Sequence, residues 1–433
     1  MTAFPKPPVA SLWAAGAAPA GRFGPLDRDV QADVAIVGGG YTGLTAALAL
    51  AERGERAVVL EASTIGWGAS GRNGGVVSAK FRPSFQAIAA KHGIAVAKRM
   101  HAIAYASVET LERLIAEHGI VQANYARVGQ LKCAHTPHTL AATVADMEWM
   151  RREMSDSSVQ ELSREAVEAE TGSKDFVGGV LSEKAGGLHP LNYANGLARA
   201  VSGKGLAIHE ASPALRLHRE AGGVRVETPG GSVRARQVIV ATNGYTDLTG
   251  AAAPLRTRLI PFRSAILATA PLSDNLRAAI LPSRRIYVET RRMMRWFRMV
   301  DDRMVFGGRG AFGREDSDAA FATLHRAMVR TFPALADTGV AHRWSGLVGM
   351  TLDAFPHVGR LDDRVSFAMG YNGAGVAMSS HLGGLAAAFA LGESPDVALL
   401  STEGFQPVPF YALREPAVRL VAGWYQFLDT IGR

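Results

Sequence analysis

The segment 32–61 constrains the fold more than any other part of the chain. Asp33-Val34-Ala35-Ile36-Val37 is a short apolar run of the kind buried in a parallel sheet. It leads into Gly38-Gly39-Gly40-Tyr41-Thr42-Gly43, then into the Ala/Leu-rich stretch Leu44–Arg53, whose composition suits a helix packed closely on a sheet. Gly54 ends that helix, Val58-Val59-Leu60 forms the next strand, and Glu61 closes it. Strand, glycine turn, helix, strand and acid together occupy about 30 residues, the size of one βαβ crossover. Within that frame Gly38 permits the tight turn, Gly40 lets the backbone approach a pyrophosphate, and Gly43 lets helix and strand pack closely. The helix start, with Tyr41 and Thr42, turns N–H groups and a partial positive charge toward phosphates. A carboxylate at Glu61, beside Ala62, can accept both ribose hydroxyls. A glycine turn without a ligand is the competing reading, but the strand before it, Ala47 within it and Glu61 after it favour a dinucleotide site.

The 433 residues suggest roughly three domains by length. Hydrophobic residues make up 48% and charged residues 20%, the balance of a globular protein that needs neither disulfides nor a structural metal to fill its core. Net charge is +8, yet the densest basic run, Arg291–Arg298, holds only four arginines, so a nucleic-acid-binding arm is not expected. Cys133 is the only cysteine, which excludes an intrachain disulfide, a CxxC redox pair, an iron–sulfur cluster and a Cys-rich zinc site. His135 and His138 flank Pro137 without a third ligand at metal spacing and read as a surface loop. The Pro/Ala-rich start lacks the apolar core of a signal peptide, and no apolar run reaches about 18 residues. A cytoplasmic protein without membrane or nucleic-acid partners is expected.

Beyond residue 66 comes a glycine-dense loop, Gly66–Gly75, then a helical stretch over 86–119 and a second helix over Thr139–Met154. Strand-like patterns occur at Gly129–Ala134, Gly178–Leu181, Leu259–Ala270, Ile286–Val288 and Arg295–Phe306, suggesting an antiparallel sheet in a second domain. Val224–Glu227 before Gly230-Gly231 predicts a hairpin, and Gln237–Val240 returns to parallel-sheet character before Ala241-Thr242-Asn243-Gly244. The last glycine-rich segment, Gly370–Gly384, leads into an Ala/Leu helix. The tail Pro407–Arg433 carries Leu413, Val418, Leu420, Val421, Trp424 and Phe427, a pattern for a helix that closes the fold or, less commonly, meets a second copy.

The choice of dinucleotide follows by elimination. No tyrosine has lysine four residues on, no second GxGxxG with a following acid is present, and neither a P-loop lysine nor a GxSxG elbow occurs. Three further glycine-rich elements instead suit a large cofactor kept through turnover, so a flavin is favoured. The loop Gly66-Trp67-Gly68-Ala69-Ser70-Gly71-Arg72-Asn73-Gly74-Gly75 then departs from generic Rossmann sequences. With Gly186–Asn192, Phe297-Arg298, Arg343–Gly346, Gly359–Asp362 and Gly370–Val376, it resembles the D-amino-acid-oxidase-type flavoprotein superfamily, most closely the γ-glutamylputrescine oxidoreductase branch.

The resemblance implies an α/β fold: a discontinuous Rossmann-like FAD-binding domain (30–85, 159–252 and 341–400), an inserted substrate domain of antiparallel sheet plus helices (86–158 and 253–340), and a C-terminal helical tail (401–433). It implies that Ala69, Ser70, Arg72, Asn73, Gly74 and Gly75 pass under the flavin, with Ala214, Ala241, Thr242 and Gly346 also at the cofactor. Gly373, Ala374, Gly375, Val376 and Ala377 would bring a helix N-terminus to the reduced ring's negative edge, a physical reading that Gly373 and Gly375 support. Alignment places Gly346 where sarcosine oxidases carry a flavin-linking cysteine, which implies noncovalent FAD. It places Val305 and Ala377 where those enzymes use lysines, and finds no arginine near Val348–Gly349 where D-amino-acid oxidases bind a carboxylate. These absences argue against an ordinary α-amino acid or sarcosine as substrate.

For the substrate, His189, Arg309, Trp296 and Arg298 are the candidates, with Tyr287 and Arg263 behind them. Each has a plainer reading: a hydrogen-bonding core histidine, a solvated strand-end cation, and alternation of core and surface along Trp296-Phe297-Arg298. The implied reaction moves hydride from the C–H beside an amine nitrogen to flavin N5, and the resulting imine hydrolyses to aldehyde and amine. The implied substrate is a small γ-glutamylated or otherwise N-substituted amine, handled by a monomer or homodimer. Two alternatives stay open: an FAD-dependent dehydrogenase of N-alkyl or D-amino acids that uses a non-oxygen acceptor, and a flavin-binding subunit without turnover.

Overall fold

The computed structural model describes residues 6, 9–309 and 317–430. Two eight-stranded sheets organise them. The first is built on Val30–Val37, which pairs in parallel with Ala57–Leu60 on one side and Gly231–Val240 on the other. Ala207–His209 extends it beyond Ala57–Leu60, and Val365–Met369 beyond Gly231–Val240, again in parallel. The antiparallel strand His357–Arg360 closes that edge, while Arg216–Glu220 and Gly223–Thr228 fold onto Gly231–Val240 as the expected hairpin. Period-two alternation splits the central strand between two cores: Val34 and Ile36 pack under the helices, Ala35 and Val37 toward the hairpin.

The helix Tyr41–Ala51 lies on the first face, crossed closely by Gly375–Ala390. Small residues allow the approach: a Cβ on Gly383 would stand 2.0 Å from Thr45 Oγ1 and 2.5 Å from the Thr42 carbonyl oxygen. Ile94–Glu117 and Pro190–Gly203 complete this layer. The helical stretch expected over 86–119 is two helices, Phe85–His92 and Ile94–Glu117, broken at Gly93, whose φ of +88° no helix accepts.

The second sheet runs Val340–Met350, Ile260–Thr269, Arg303–Arg309, Arg295–Val300, Ile286–Glu289, Gln130–Ala134, Gly178–Ser182, Val159–Leu162. Every neighbouring pair is antiparallel except Ile286–Glu289 with Gln130–Ala134. The stretch read as one strand over Arg295–Phe306 is a hairpin, with Asp301 at φ +50° in its turn. Sheet membership also departs from the expected segments. Residues 159–182 and 341–350 lie in the expected FAD-binding segments, yet they contribute to three strands of the second sheet. Strand pattern alone carries little signal of which sheet a strand joins, because that depends on partners far along the chain.

One face of the second sheet is a closed core: Leu131, Cys133, Leu181, Tyr287, Phe297, Phe306 and Leu267 pack beneath the helix Asp318–Thr331. The other face looks toward the first domain, with Trp296, Val288, Ile266 and Trp344. No helix among the described residues is long and apolar enough to cross a membrane. The C-terminal helix Arg414–Thr430 is pinned at its start by Arg414 to Asp247 at 2.9 Å, but leaves Leu420, Val421 and Trp424 exposed and buries Ala422. It does not close the core as expected, because its apolar residues face away from the body; the Phe427 side chain lies outside the described residues.

The helix crossing yields a direct test. Gly383→Ala is expected to cost about 1–3 kcal/mol through overpacking, whereas Gly384→Ala, whose Cβ meets nothing within 4 Å, is expected to be neutral or stabilising by about 0.5–1 kcal/mol. Urea unfolding of the two variants measures the contrast.

Candidate functional site

A cavity of about 970 Å3 lies between the two sheets and takes its lining from both. At one end stand Gly38, Gly40, Tyr41 and Thr42, with Glu61, Ala62, Ala214, Ala241 and Thr242 around them. Gly38 holds φ +117° with its missing Cβ 2.8 Å from the Ala241 carbonyl oxygen, so neither the conformation nor the space admits another residue. Gly43 does not line the cavity; it sits over the Gly38 carbonyl, a Cβ there falling 2.0 Å from that oxygen, and so performs the helix–strand packing expected of it.

The Glu61 carboxylate accepts from the Gly39 N–H at 2.8 Å and the Ser63 N–H at 2.9 Å. Burial nevertheless raises its pKa above the ordinary carboxylate range, with those two N–H donors opposing the shift.

Ala69, Ser70, Arg72, Asn73 and Gly74 line the middle of the cavity. Their loop is braced from inside: Ser70 Oγ accepts from the Tyr41 N–H at 3.0 Å, and Asn73 Nδ2 donates to the Ala69 and Ser70 carbonyls at 3.1 and 2.9 Å. Arg72 Nε donates to the Trp67 carbonyl at 2.6 Å, its guanidinium lying 4.2 Å from the Trp67 ring centre. Gly74 and Gly307 are flat platforms for Trp296, whose ring would stand 2.4 and 2.1 Å from their added Cβ atoms. Trp296 lines the cavity. Gly75 does not; it packs on the Leu188 carbonyl behind the loop.

Gly346, Gly373, Ala374, Gly375 and Val376 form the opposite wall, whereas Ala377 turns into the helical core and is corrected from cofactor contact to packing. Two helices thus begin on this cavity, Tyr41–Ala51 after Gly40 and Gly375–Ala390 after Ala374, and neither start carries a side-chain cap. Uncapped helix starts present N–H donors and partial positive charge, the complement of an anion.

Two of the four substrate candidates change role. Arg298 is fully enclosed and absent from the lining; its Nη1 donates to the carbonyls of Gly74, Gly75 and Leu188 at 3.3, 3.1 and 3.1 Å. Burial lowers its pKa to about 10, leaving it charged at neutral pH. It positions the glycine loop and has no room for a substrate anion. His189 is likewise off the cavity: its Nδ1 accepts from the Asn192 N–H at 3.1 Å as the N-cap of Pro190–Gly203, and its ring meets Trp13 edge-on at 5.1 Å. The Arg309 backbone pairs with Ser264, and its side chain lies outside the described residues. Tyr287 faces the closed core and donates to the Glu170 carbonyl, and Arg263 donates to Ser345 Oγ at 2.6 Å, so neither lines the cavity.

Other lining residues were not anticipated. Tyr245 meets Trp67 edge-on at 5.5 Å and accepts from the Leu347 N–H. Asn372, at φ +53°, accepts from Thr351 N–H at 3.0 Å and shapes the turn before the late helix. His135 and His138, read as a surface loop, line the cavity, and His135 Nδ1 lies 2.7 Å from Thr290 Oγ1. No group of residues suited to a metal ion occurs among the described residues. Gln130, Lys132 and Asp146 also face the cavity; the alternation Gln130-Leu131-Lys132-Cys133 is the sequence signal that could have marked them.

Residues 33–389 match the family described as DAO, FAD dependent oxidoreductase. The chain belongs to this family. It is 31% identical to γ-glutamylputrescine oxidoreductase of Escherichia coli over 98% of this chain and 99% of that protein. Among solved structures it is similar to glycine oxidase from Geobacillus kaustophilus (TM-score 0.71, 21% identity, 86% of this chain and 98% of that one). It is also similar to L-proline dehydrogenase from P. horikoshii (TM-score 0.70, 19% identity, 85% and 96%). The protein is an FAD-dependent oxidoreductase, and its cavity suits FAD: a volume at the upper end of small-molecule sites, a cradle that Cβ atoms would fill, a ribose-type acid and two uncapped helix starts.

Two measurements check the corrected roles. Arg298→Met leaves three carbonyls without their charged donor and is expected to cost about 2–4 kcal/mol in chemical denaturation, with FAD lost at lower denaturant than from the parent. For His189, burial depresses the pKa from 6.5 to about 4. The native state therefore favours the neutral ring, so this contribution is complete above pH 6.5 and declines as pH falls toward 4, where the unfolded chain takes up the proton first. Replacement by Asn, which keeps an N-cap acceptor, is expected to flatten that part of the melting-temperature profile.

Proposed function

We propose that this FAD-dependent oxidoreductase oxidises a γ-glutamylated or closely related N-substituted amine. The observation that carries the reading is the extent of the cavity. It continues past Trp296 along the open face of the second sheet and under the helix Pro137–Met154, with Val288, Val180, Thr143 and Met147 in its walls. A site shaped only for glycine needs no such arm. The near full-length similarity to γ-glutamylputrescine oxidoreductase supports the same substrate class.

In this reading Gly38, Gly40 and the start of Tyr41–Ala51 hold the pyrophosphate, and Glu61 turns from the Gly39 N–H to the ribose hydroxyls. Ala69–Gly74, Gly346 and the start of Gly375–Ala390 enclose the ring. Bound FAD supplies the acceptor for the hydride that leaves the carbon beside the amine nitrogen. The chain's share is orientation and desolvation. Trp296, Ile266 and Val288 form an apolar wall that excludes water and thereby lowers the pKa of a bound ammonium, favouring the neutral amine with its available lone pair. Cys133 faces the closed core on the far side of the sheet, so the cofactor is held without a thioether.

Anaerobic addition of γ-glutamylputrescine to the yellow protein is expected to bleach the flavin's visible band, and readmitted air then compares oxygen with an artificial acceptor. Flavin that stays oxidised with this compound but is reduced by N-alkyl or D-amino acids would replace the reading.

A further inference from the structure

The far arm of the cavity has a charged floor that the reading above does not use. Gln130 and Lys132 alternate with Leu131 and Cys133 along one strand, so the polar pair faces the cavity while the apolar pair enters the closed core. Lys132 pairs with Val288, Val288 with Trp296, and Trp296 with Gly307, which sets these residues in one row on one face of the sheet. Asp146 hangs over this row from the helix Pro137–Met154, beside Met147, which packs on Val180, the other strand partner of Lys132.

The polar groups here are unspent. Among the described residues Lys132 makes no side-chain hydrogen bond or ion pair, and Asp146 Oδ1 and Gln130 Nε2 are buried without a partner. Buried polar atoms are normally satisfied, so these two, beside a lysine that lines the same stretch of cavity without a partner, point to an absent ligand. The nearby Lys184 is different, being paired with Asp156 at 3.5 Å. Lys132 and Asp146 are close enough to interact through space but too far apart to form an ion pair. The cavity walls strip water from Lys132 and lower its pKa, an effect Asp146 opposes.

We infer that Lys132, Asp146 and Gln130 form a subsite for a zwitterionic α-amino-acid head group. Lys132 meets the carboxylate, Asp146 meets the ammonium, and Gln130 donates to the carboxylate from beside it. The spacing agrees. Two strand intervals separate Lys132 from Trp296, roughly 10 Å, and a γ-glutamyl diamine spans eight bonds from its oxidisable carbon to the glutamyl α-carbon, also roughly 10 Å when extended. The residues are specificity-determining, acting at the end of the substrate remote from the reacting carbon. The inference rests on the γ-glutamyl-amine reading, and the test separates the two.

The probe is γ-glutamyl n-butylamide, which keeps the head group and lacks the oxidisable terminal amine. Calorimetric titration of the FAD-loaded protein is expected to detect binding, weakened roughly 10- to 100-fold by Lys132→Met and by Asp146→Asn. The flavin spectrum and melting temperature of both variants should match the parent, since neither side chain holds the fold. With putrescine, which has no head group, kcat/KM is expected to stay within about two-fold in the variants. Failure of the probe to bind the parent, or equal affinity in parent and variants, overturns the subsite. Failure of γ-glutamylputrescine to reduce a parent that binds the probe in a Lys132- and Asp146-dependent way instead overturns the substrate reading and leaves the subsite standing.

Discussion

The Arg298 guanidinium, enclosed where the second sheet meets the glycine loop, gathers the carbonyls of Gly74, Gly75 and Leu188 around Nη1. A buried cation is costly unless its donors are satisfied, and here the acceptors come from two separate stretches of chain that would otherwise diverge. Trp13 and Trp344 reinforce the junction by donating from their indole N–H groups to the Asn73 and Arg72 carbonyls at 2.9 and 3.0 Å. The loop therefore has its backbone oxygens drawn toward the sheet behind it, while Ala69–Gly74 line the cavity in front. The surface offered to a flavin depends on that polarisation. Without the clamp, Trp296 would press on a loop that had lost its anchor, because Gly74 leaves no other atoms between them.

The same sheet divides the second domain's labour by simple alternation. Phe297 and Met299 fill the closed core, while Trp296 and Arg298, one residue out of phase, face the first domain. Gln130 and Lys132 follow the same rule two strands away. A one-residue slip of either strand would exchange the two sets, placing Arg298 or Lys132 in the apolar core. Register thus protects both the clamp and the polar arm, and the parallel pairing of Ile286–Glu289 with Gln130–Ala134 is where the two are locked together.

How far this was legible in the sequence follows from the distance over which each feature is determined. Gly38–Gly43 and Glu61 could be read because strand, turn, helix and acid lie within one crossover and each residue's task is local. Arg298 and His189 stand among the substrate candidates beside plainer readings, and the structure gives both of them positioning roles. A guanidinium's partners are backbone carbonyls more than a hundred residues away, and an N-cap histidine looks like any other histidine until the helix it caps is placed. Lys132 and Asp146 carry no local signal of a shared site for a related reason. The strand and helix that carry them were both anticipated, but nothing local shows that their polar faces meet over a cavity. The edge strands 159–162 and 340–350 join the second sheet because alternation along a strand does not carry the identity of its neighbours.

The cavity's electrostatics then follow from three kinds of wall in series. Two uncapped helix starts make one end favourable to phosphate and to negative charge on a ring. The middle, between Trp296, Ile266 and Val288, is apolar and disfavours any charged group, including the ammonium form of a substrate amine. The far arm restores polarity with a lysine, a carboxylate and an amide that have no partners of their own. A small amine without a second polar group would gain nothing from that arm and would be held only by the apolar stretch. A long amine with a zwitterionic end can satisfy the arm while its other nitrogen is held neutral in the dry segment. Binding energy collected remotely is thereby available to offset the desolvation that the reacting end requires.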